Sequence, residues 1–131
     1  MKKIESINLM NKFSLFDEKW TPKIIGELNN QYVKLCKLEG EFVWHSHENE
    51  DELFMVFKGK VLMDFRDGRT VEVNEGEILI VPKGVEHKPY TNGDVVFNLL
   101  FEPKTTKHTG DVNSTLTCLL YTSPSPRDDE L

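Results

Sequence analysis

Disulfide chemistry is almost unavailable to this chain, whose 131 residues hold two cysteines, Cys36 and Cys118. Two are too few for a disulfide framework, and they stand too far apart for a Cys-x-x-Cys site. Cys36 lies in Tyr32-Val33-Lys34-Leu35-Cys36-Lys37-Leu38 and reads as a small, buried or half-buried strand residue. No apolar run reaches membrane length, and with 38% hydrophobic and 29% charged residues the composition is that of a soluble globular domain. Ile4, Glu5, Ser6 and Asn8 follow the Met-Lys-Lys start where a secretory signal would be continuously apolar, so a cytoplasmic location is expected. The net charge is -6, with no basic stripe interleaved with aromatics, which argues against a nucleic-acid or anionic-membrane partner. A glycine-rich phosphate loop before a helix is missing too, as is any alternation of strands with long helices, and this disfavours a nucleotide-binding α/β fold.

What the chain does have is a series of short apolar runs cut by turn residues, the pattern of an all-β domain. Its length suits one domain with a real hydrophobic core. Residues 4–20 carry apolar side chains at mixed spacings, compatible with a short helix and an irregular arm. Strands are expected near 31–38, 42–47, 51–58, 60–66, 69–73, 77–81, 86–90 and 94–102. Turns fall between them at Glu39-Gly40, Lys58-Gly59, Asp67-Gly68, Asn74-Glu75-Gly76, Pro82-Lys83-Gly84 and Asn92-Gly93. Asp-Gly and Asn-Gly favour hairpins because both residues tolerate positive φ. The expected division is an amino-terminal arm over 1–30, a β-barrel over 31–103, a truncated extension over 104–117 and a tail over 118–131.

Two strands are apolar on both faces. In 94–102, Val95, Phe97, Leu99 and Phe101 alternate with Val96, Asn98, Leu100 and Glu102, while Leu53-Phe54-Met55-Val56-Phe57 is apolar throughout. A barrel with one wet face has no need of this. The outer face is therefore expected to pack against the amino-terminal arm or a second subunit, and a homodimer is expected.

The tail from Cys118 to Asp128 resembles a translated sequencing adapter, a transposase mosaic end joined to a library adapter. On that reading Cys118 leaves the cysteine count, the closing Asp-Asp-Glu-Leu is no retention signal, and the natural carboxyl terminus lies elsewhere.

Three of the four histidines sit in two strand-and-turn contexts, His45-Ser46-His47 and Gly84-Val85-Glu86-His87. Residues i and i+2 of a strand share a face, so His45 and His47 present two imidazoles side by side. After the polar turn Glu48-Asn49-Glu50-Asp51 the chain can return and offer a carboxylate from Glu52, with Glu50 and Asp51 as competitors, and His87 can add a third imidazole. Three imidazoles and a carboxylate suit one divalent transition metal, Fe²⁺, Mn²⁺, Zn²⁺, Ni²⁺ or Cu²⁺, which such a donor set does not distinguish, rather than Ca²⁺. Four protein donors would leave an octahedral ion two positions for water or substrate. Taken alone, His-x-His reads equally well as a polar patch on an exposed strand. His108 stands outside both contexts and reads as a surface residue.

The spacing around these residues resembles both motifs of the cupin superfamily. The first runs Gly40, His45, His47, Glu52, Gly59, with four residues between His47 and Glu52 and six between Glu52 and Gly59. The second runs Gly76, Pro82, Gly84, His87, with five, one and two residues between. Two departures stand out: four residues separate Gly40 from His45 where the family has five, and Thr91 occupies the place of the usual Asn. The stretches Asn11-Lys12-Phe13-Ser14-Leu15-Phe16 and Phe101-Glu102-Pro103-Lys104-Thr105-Thr106 also look like small single-domain bacterial cupins. The resemblance implies a jelly-roll β-barrel, a metal centre on His45, His47, Glu52 and His87, and dimerisation. It implies a small-molecule ligand as well, with the chain either a metal-dependent enzyme acting by oxygenation or isomerisation on a sugar-like or carboxylic acid molecule, or a non-catalytic binding barrel. Phe54, Trp44 and Phe97 are candidates to line its pocket. Lys83 and Lys88 are the only candidates for phosphate, and they read better as solvated surface lysines.

Overall fold

The computed structural model describes residues 4–106 of the chain. His108, Cys118 and the segment 118–131 lie outside the described residues. One short helix, α1 (Leu9–Phe13), precedes eight strands: β1 (Lys23–Leu28), β2 (Gln31–Leu38), β3 (Glu52–Lys58), β4 (Lys60–Phe65), β5 (Thr70–Asn74), β6 (Ile78–Val81), β7 (His87–Tyr90) and β8 (Val96–Pro103). They form two antiparallel sheets, one ordered β1-β2-β8-β3-β6 and the other β5-β4-β7. Facing each other, the sheets make a jelly-roll barrel.

Period-2 alternation decides what fills it. On β3, Phe54 and Val56 point inward and Leu53, Met55 and Phe57 outward; on β8, Val96, Asn98, Leu100 and Glu102 point inward. Val56 and Val96 from one sheet and Val61 and Met63 from the other are fully buried in the core between them. Each such side chain contributes about 1.5–3 kcal/mol on leaving water. Gly59 joins β3 to β4 at φ 95°, and a Cβ there would lie 3.1 Å from Val96 Cγ2, so the turn needs glycine both for its dihedral and for its closeness to β8.

Part of the outer face of the larger sheet, around Leu35, Phe57 and Phe97, is covered by the amino-terminal arm. Asn8 caps α1, its side chain accepting the N–H of Asn11 at 2.9 Å. The helix then drops Phe13, fully buried, onto the stacked rings of Phe97 and Phe57, with centroids 4.6 and 5.8 Å away. Phe97 therefore serves the arm and not the barrel interior.

Two features differ from the expectations. Residues 42–47 are no regular strand; they meet β7 through the Phe42 N–H to the Pro89 carbonyl at 3.0 Å and through the pairing of His45 with His87. Phe42 and His45, three apart, are both buried, which a two-residue period cannot deliver. The arm also holds an unforeseen strand, β1. Its pairing with β2 shifts register between Ile24 and Gly26, and this bulge buries Ile24 and Ile25 in succession, erasing the alternation that would have announced it.

Candidate metal centre

Two chain segments meet at the site. The backbone N–H of His45 donates to the His87 carbonyl at 3.0 Å, and the His87 N–H returns a bond to the His45 carbonyl at 2.9 Å. The Gly84 N–H holds the His47 carbonyl at 2.7 Å, while Thr91 and Gly40 close the far end through Thr91 N–H to the Gly40 carbonyl (2.9 Å) and Gly40 N–H to Thr91 Oγ1 (2.8 Å). Thr91 thus does the work of a turn-closing side chain where the family pattern has Asn.

His45, His47, Glu52 and His87 come together, all buried, each offering a ligand atom within 4.8 Å of the others. The competing carboxylates are engaged elsewhere: Asp51 accepts the Lys83 N–H at 2.9 Å, and Glu50 accepts the Thr105 hydroxyl at 2.8 Å. Position in the strand explains the choice, since Glu52 opens β3 on its inward face.

The backbone also sets the tautomers. His45 Nδ1 lies 2.9 Å from the Val43 carbonyl, and His87 Nδ1 lies 2.9 Å from that of Val85. A carbonyl only accepts, so each Nδ1 carries a proton, and in the neutral imidazole each Nε2 keeps a lone pair. His87 Nε2 then faces Glu52 Oε1 at 3.3 Å, and neither atom has a hydrogen bond. His47 Nε2 approaches the same oxygen at 3.2 Å. Buried acceptors aimed at one another are costly unless a cation or proton stands between them. The nitrogen and oxygen donors fit a divalent transition ion.

Burial pushes the Glu52 carboxyl up, but with no cation bound a proton on Nε2 of His47 or His87, shared with the carboxylate, outweighs burial and holds the group well below its ordinary range. Burial also lowers His45, to about 4, with the nearby His87 acting in the same direction. Behind Glu52 lies a second buried carboxyl, Glu102, paired with Lys34 at 2.6 Å, both without solvent exposure. Burial and then the Glu52 charge push Glu102 well above the carboxylate range, against the pull of Lys34.

A small cavity, partly open to solvent, adjoins the cluster, with His45 and Glu52 in its wall. Phe54 lines it as expected, whereas Trp44 sits under the Arg66 guanidinium, 3.9 Å from its ring centre, and Phe97 packs on α1. Trp20, Phe42 and Asn98 line it unforeseen. The alternation of β8 could have shown Asn98, a polar residue in an inward series of apolar ones; Trp20 carries no sequence signal. Lys88 pairs with Glu41 and is committed to the surface.

An antiparallel jelly-roll with three inward imidazoles and a carboxylate defines the cupin class. Comparison with known proteins agrees: the family model Cupin_2, cupin domain, matches residues 33–102, and the chain belongs to that family. It is similar to the uncharacterised protein YdbB of Bacillus subtilis strain 168, 37% identical over 81 residues, 62% of this chain and 72% of that protein. Among solved structures it is similar to a cupin-2 domain containing protein from Shewanella frigidimarina NCIMB 400, 44% identical with a TM-score of 0.72 over 74% of this chain and 93% of the other. Protein NMB1881 from Neisseria meningitidis is 33% identical, with a TM-score of 0.68 over 76% and 99%.

Proposed function

We propose that this cupin binds one divalent transition metal ion on His45, His47, Glu52 and His87 and receives a small molecule in the adjoining cavity. The observation that carries this reading is the meeting of His87 Nε2 and Glu52 Oε1, two buried acceptors 3.3 Å apart with no donor between them. Bound there, such an ion supplies Lewis acidity, and a redox-active one supplies electrons. The chain's own residues do the rest: the Val43 and Val85 carbonyls fix the imidazoles of His45 and His87, and Trp20, Phe42 and Leu100 give the cavity beside them an apolar wall. Metal-dependent oxygenation or isomerisation of a small polar molecule is the enzymatic form of this reading.

Non-catalytic binding is the second reading, favoured by the cavity walls. Apart from His45 and Glu52, the described residues lining the cavity include no carboxylate, histidine, lysine or tyrosine able to move a proton, and the Cys36 thiol is pushed up by burial. Calorimetric titration of the metal-stripped chain with Zn²⁺ tests the shared core of both readings. One ion per chain, lost in His47→Ala, is expected; no heat of binding in the wild type would refute it.

Ile78 and Ile80, more than half exposed on the outer face of edge strand β6, support a homodimer. A light-scattering mass of one chain at micromolar concentration would count against that. No described helix is long and apolar enough to cross a membrane.

A further inference from the structure

Asn98 takes no part in the ligand set and forms none of the barrel's side-chain hydrogen bonds. It lies mid-strand on β8, between Cys36 of β2 and Val56 of β3, with no solvent exposure, and neither Oδ1 nor Nδ2 has a partner. Neither strand neighbour relieves it, since the Cys36 thiol turns to the Lys37 carbonyl and valine has nothing to offer. The amide lines the same cavity as His45 and Glu52. A side chain that is all donor and acceptor, buried and unpaired against an open cavity, is placed for something that enters it.

The opposite wall shows the body of that molecule. Trp20 has φ 58°, a left-handed backbone that a bulky side chain rarely adopts. It is pinned there by its N–H to the Lys37 carbonyl (2.8 Å) and its indole Nε1–H to the Glu39 carbonyl (2.9 Å), and its ring stacks on Phe42 at 4.7 Å. Strain is thus accepted to set a flat aromatic wall beside the cluster. With Phe54 and Leu100 the lining is largely apolar, and among the described residues outside the cluster Asn98 is the one amide, hydroxyl or charged side chain that lines it. A sugar, with a hydroxyl on nearly every carbon, would find too few partners here.

We propose that Asn98 is the recognition residue for a small 2-hydroxy acid with an apolar body. The carboxylate is drawn to a centre that a divalent ion and a single carboxylate leave positive. Hydroxyl and carboxylate together supply the donor and acceptor that the Asn98 amide complements, and the body lies on Trp20, Phe42 and Leu100. This inference rests on the metal-centre reading.

The test uses the full chain loaded with Zn²⁺, in a Trp44→Phe background that leaves Trp20 as the sole tryptophan, with Trp20 fluorescence as readout. The probes are mandelate, phenylacetate, which lacks the hydroxyl, and glycolate, which lacks the apolar body. Mandelate should bind at least about tenfold more tightly than either, and Asn98→Leu should lose about tenfold or more of that affinity while keeping its metal by elemental analysis. Equal binding of the three probes to the wild-type chain, or no binding, overturns the proposal without reliance on any variant; so does an Asn98→Leu chain that binds mandelate as the parent does. A wild-type chain that fails to load Zn²⁺ overturns the metal-centre reading and this inference with it, whereas full loading without selectivity overturns this inference alone.

Discussion

His45 and His87, 42 positions apart in sequence, exchange both backbone hydrogen bonds, at 3.0 and 2.9 Å, so the two metal-motif segments are joined before any side chain acts. An ion on their imidazoles would clamp a junction that is an isolated bridge and no continuous ladder. Ligand at about 100 times its Kd stabilises a folded chain by about 2.7 kcal/mol, worth about 10 °C in a domain of this size. Adding Zn²⁺ to the metal-stripped chain should raise its Tm by that order, and the same addition to His45→Ala/His47→Ala should not.

The carboxylate choice can be checked one acid at a time. Glu52→Gln should weaken metal binding by more than about 100-fold, since even the outer partners of ligands are typically worth about 10–100-fold. Glu50→Gln and Asp51→Asn should leave affinity unchanged, because those carboxylates hold Thr105 and the Lys83 N–H. Calorimetric affinities of the three variants decide it, and a loss in Asp51→Asn equal to that in Glu52→Gln would contradict the assignment.

Lys34 and Glu102 form a fully buried pair at 2.6 Å inside the barrel. Because the Glu102 carboxyl is pushed well above the carboxylate range, removing Lys34 leaves a neutral buried acid without its partner and costs about 1–3 kcal/mol, whereas replacing both with apolar side chains is nearly neutral. Lys34→Met should lose stability of that order in urea unfolding, and Lys34→Met/Glu102→Met should recover most of it. A double variant as unstable as the sum of the two single ones would show that the pair is not coupled.

Cys36 should be chemically silent in the folded chain. It is buried, and burial above all, with the charge of Glu102, pushes its thiol up, so almost no thiolate exists near neutral pH. In a Cys118→Ser variant at pH 8, a chromogenic disulfide reagent should detect no thiol until denaturant is added. Fast labelling of the native chain would refute the burial of the Cys36 thiol.

Much of this architecture is legible in the residues because it rests on short-range rules. The expected run 31–38 coincides with β2, and the expected runs from 51 to 102 fall within two residues of β3 to β8. Alternation and glycine turns carry that information locally. His45 and His47 both turn inward as expected, although through the pairing of His45 with His87 and not through a regular strand. Where the backbone leaves its period, the reading fails: the bulge between Ile24 and Gly26 hides β1, although Asn29 and Asn30, at φ 46° and 62°, make the two-residue turn that could have revealed it. Irregular packing of Phe42 and His45 undoes the strand expected at 42–47. The pairing of Lys34 with Glu102, 68 residues apart, and the left-handed Trp20 at the cavity depend on tertiary contact and leave no local mark.

The most direct test of the central claim is elemental analysis of untagged protein beside the His45→Ala/His47→Ala variant. The wild-type chain should carry close to one equivalent of a divalent transition metal and the variant almost none; equal metal content in the two would contradict the assignment of His45, His47, Glu52 and His87 as the metal centre.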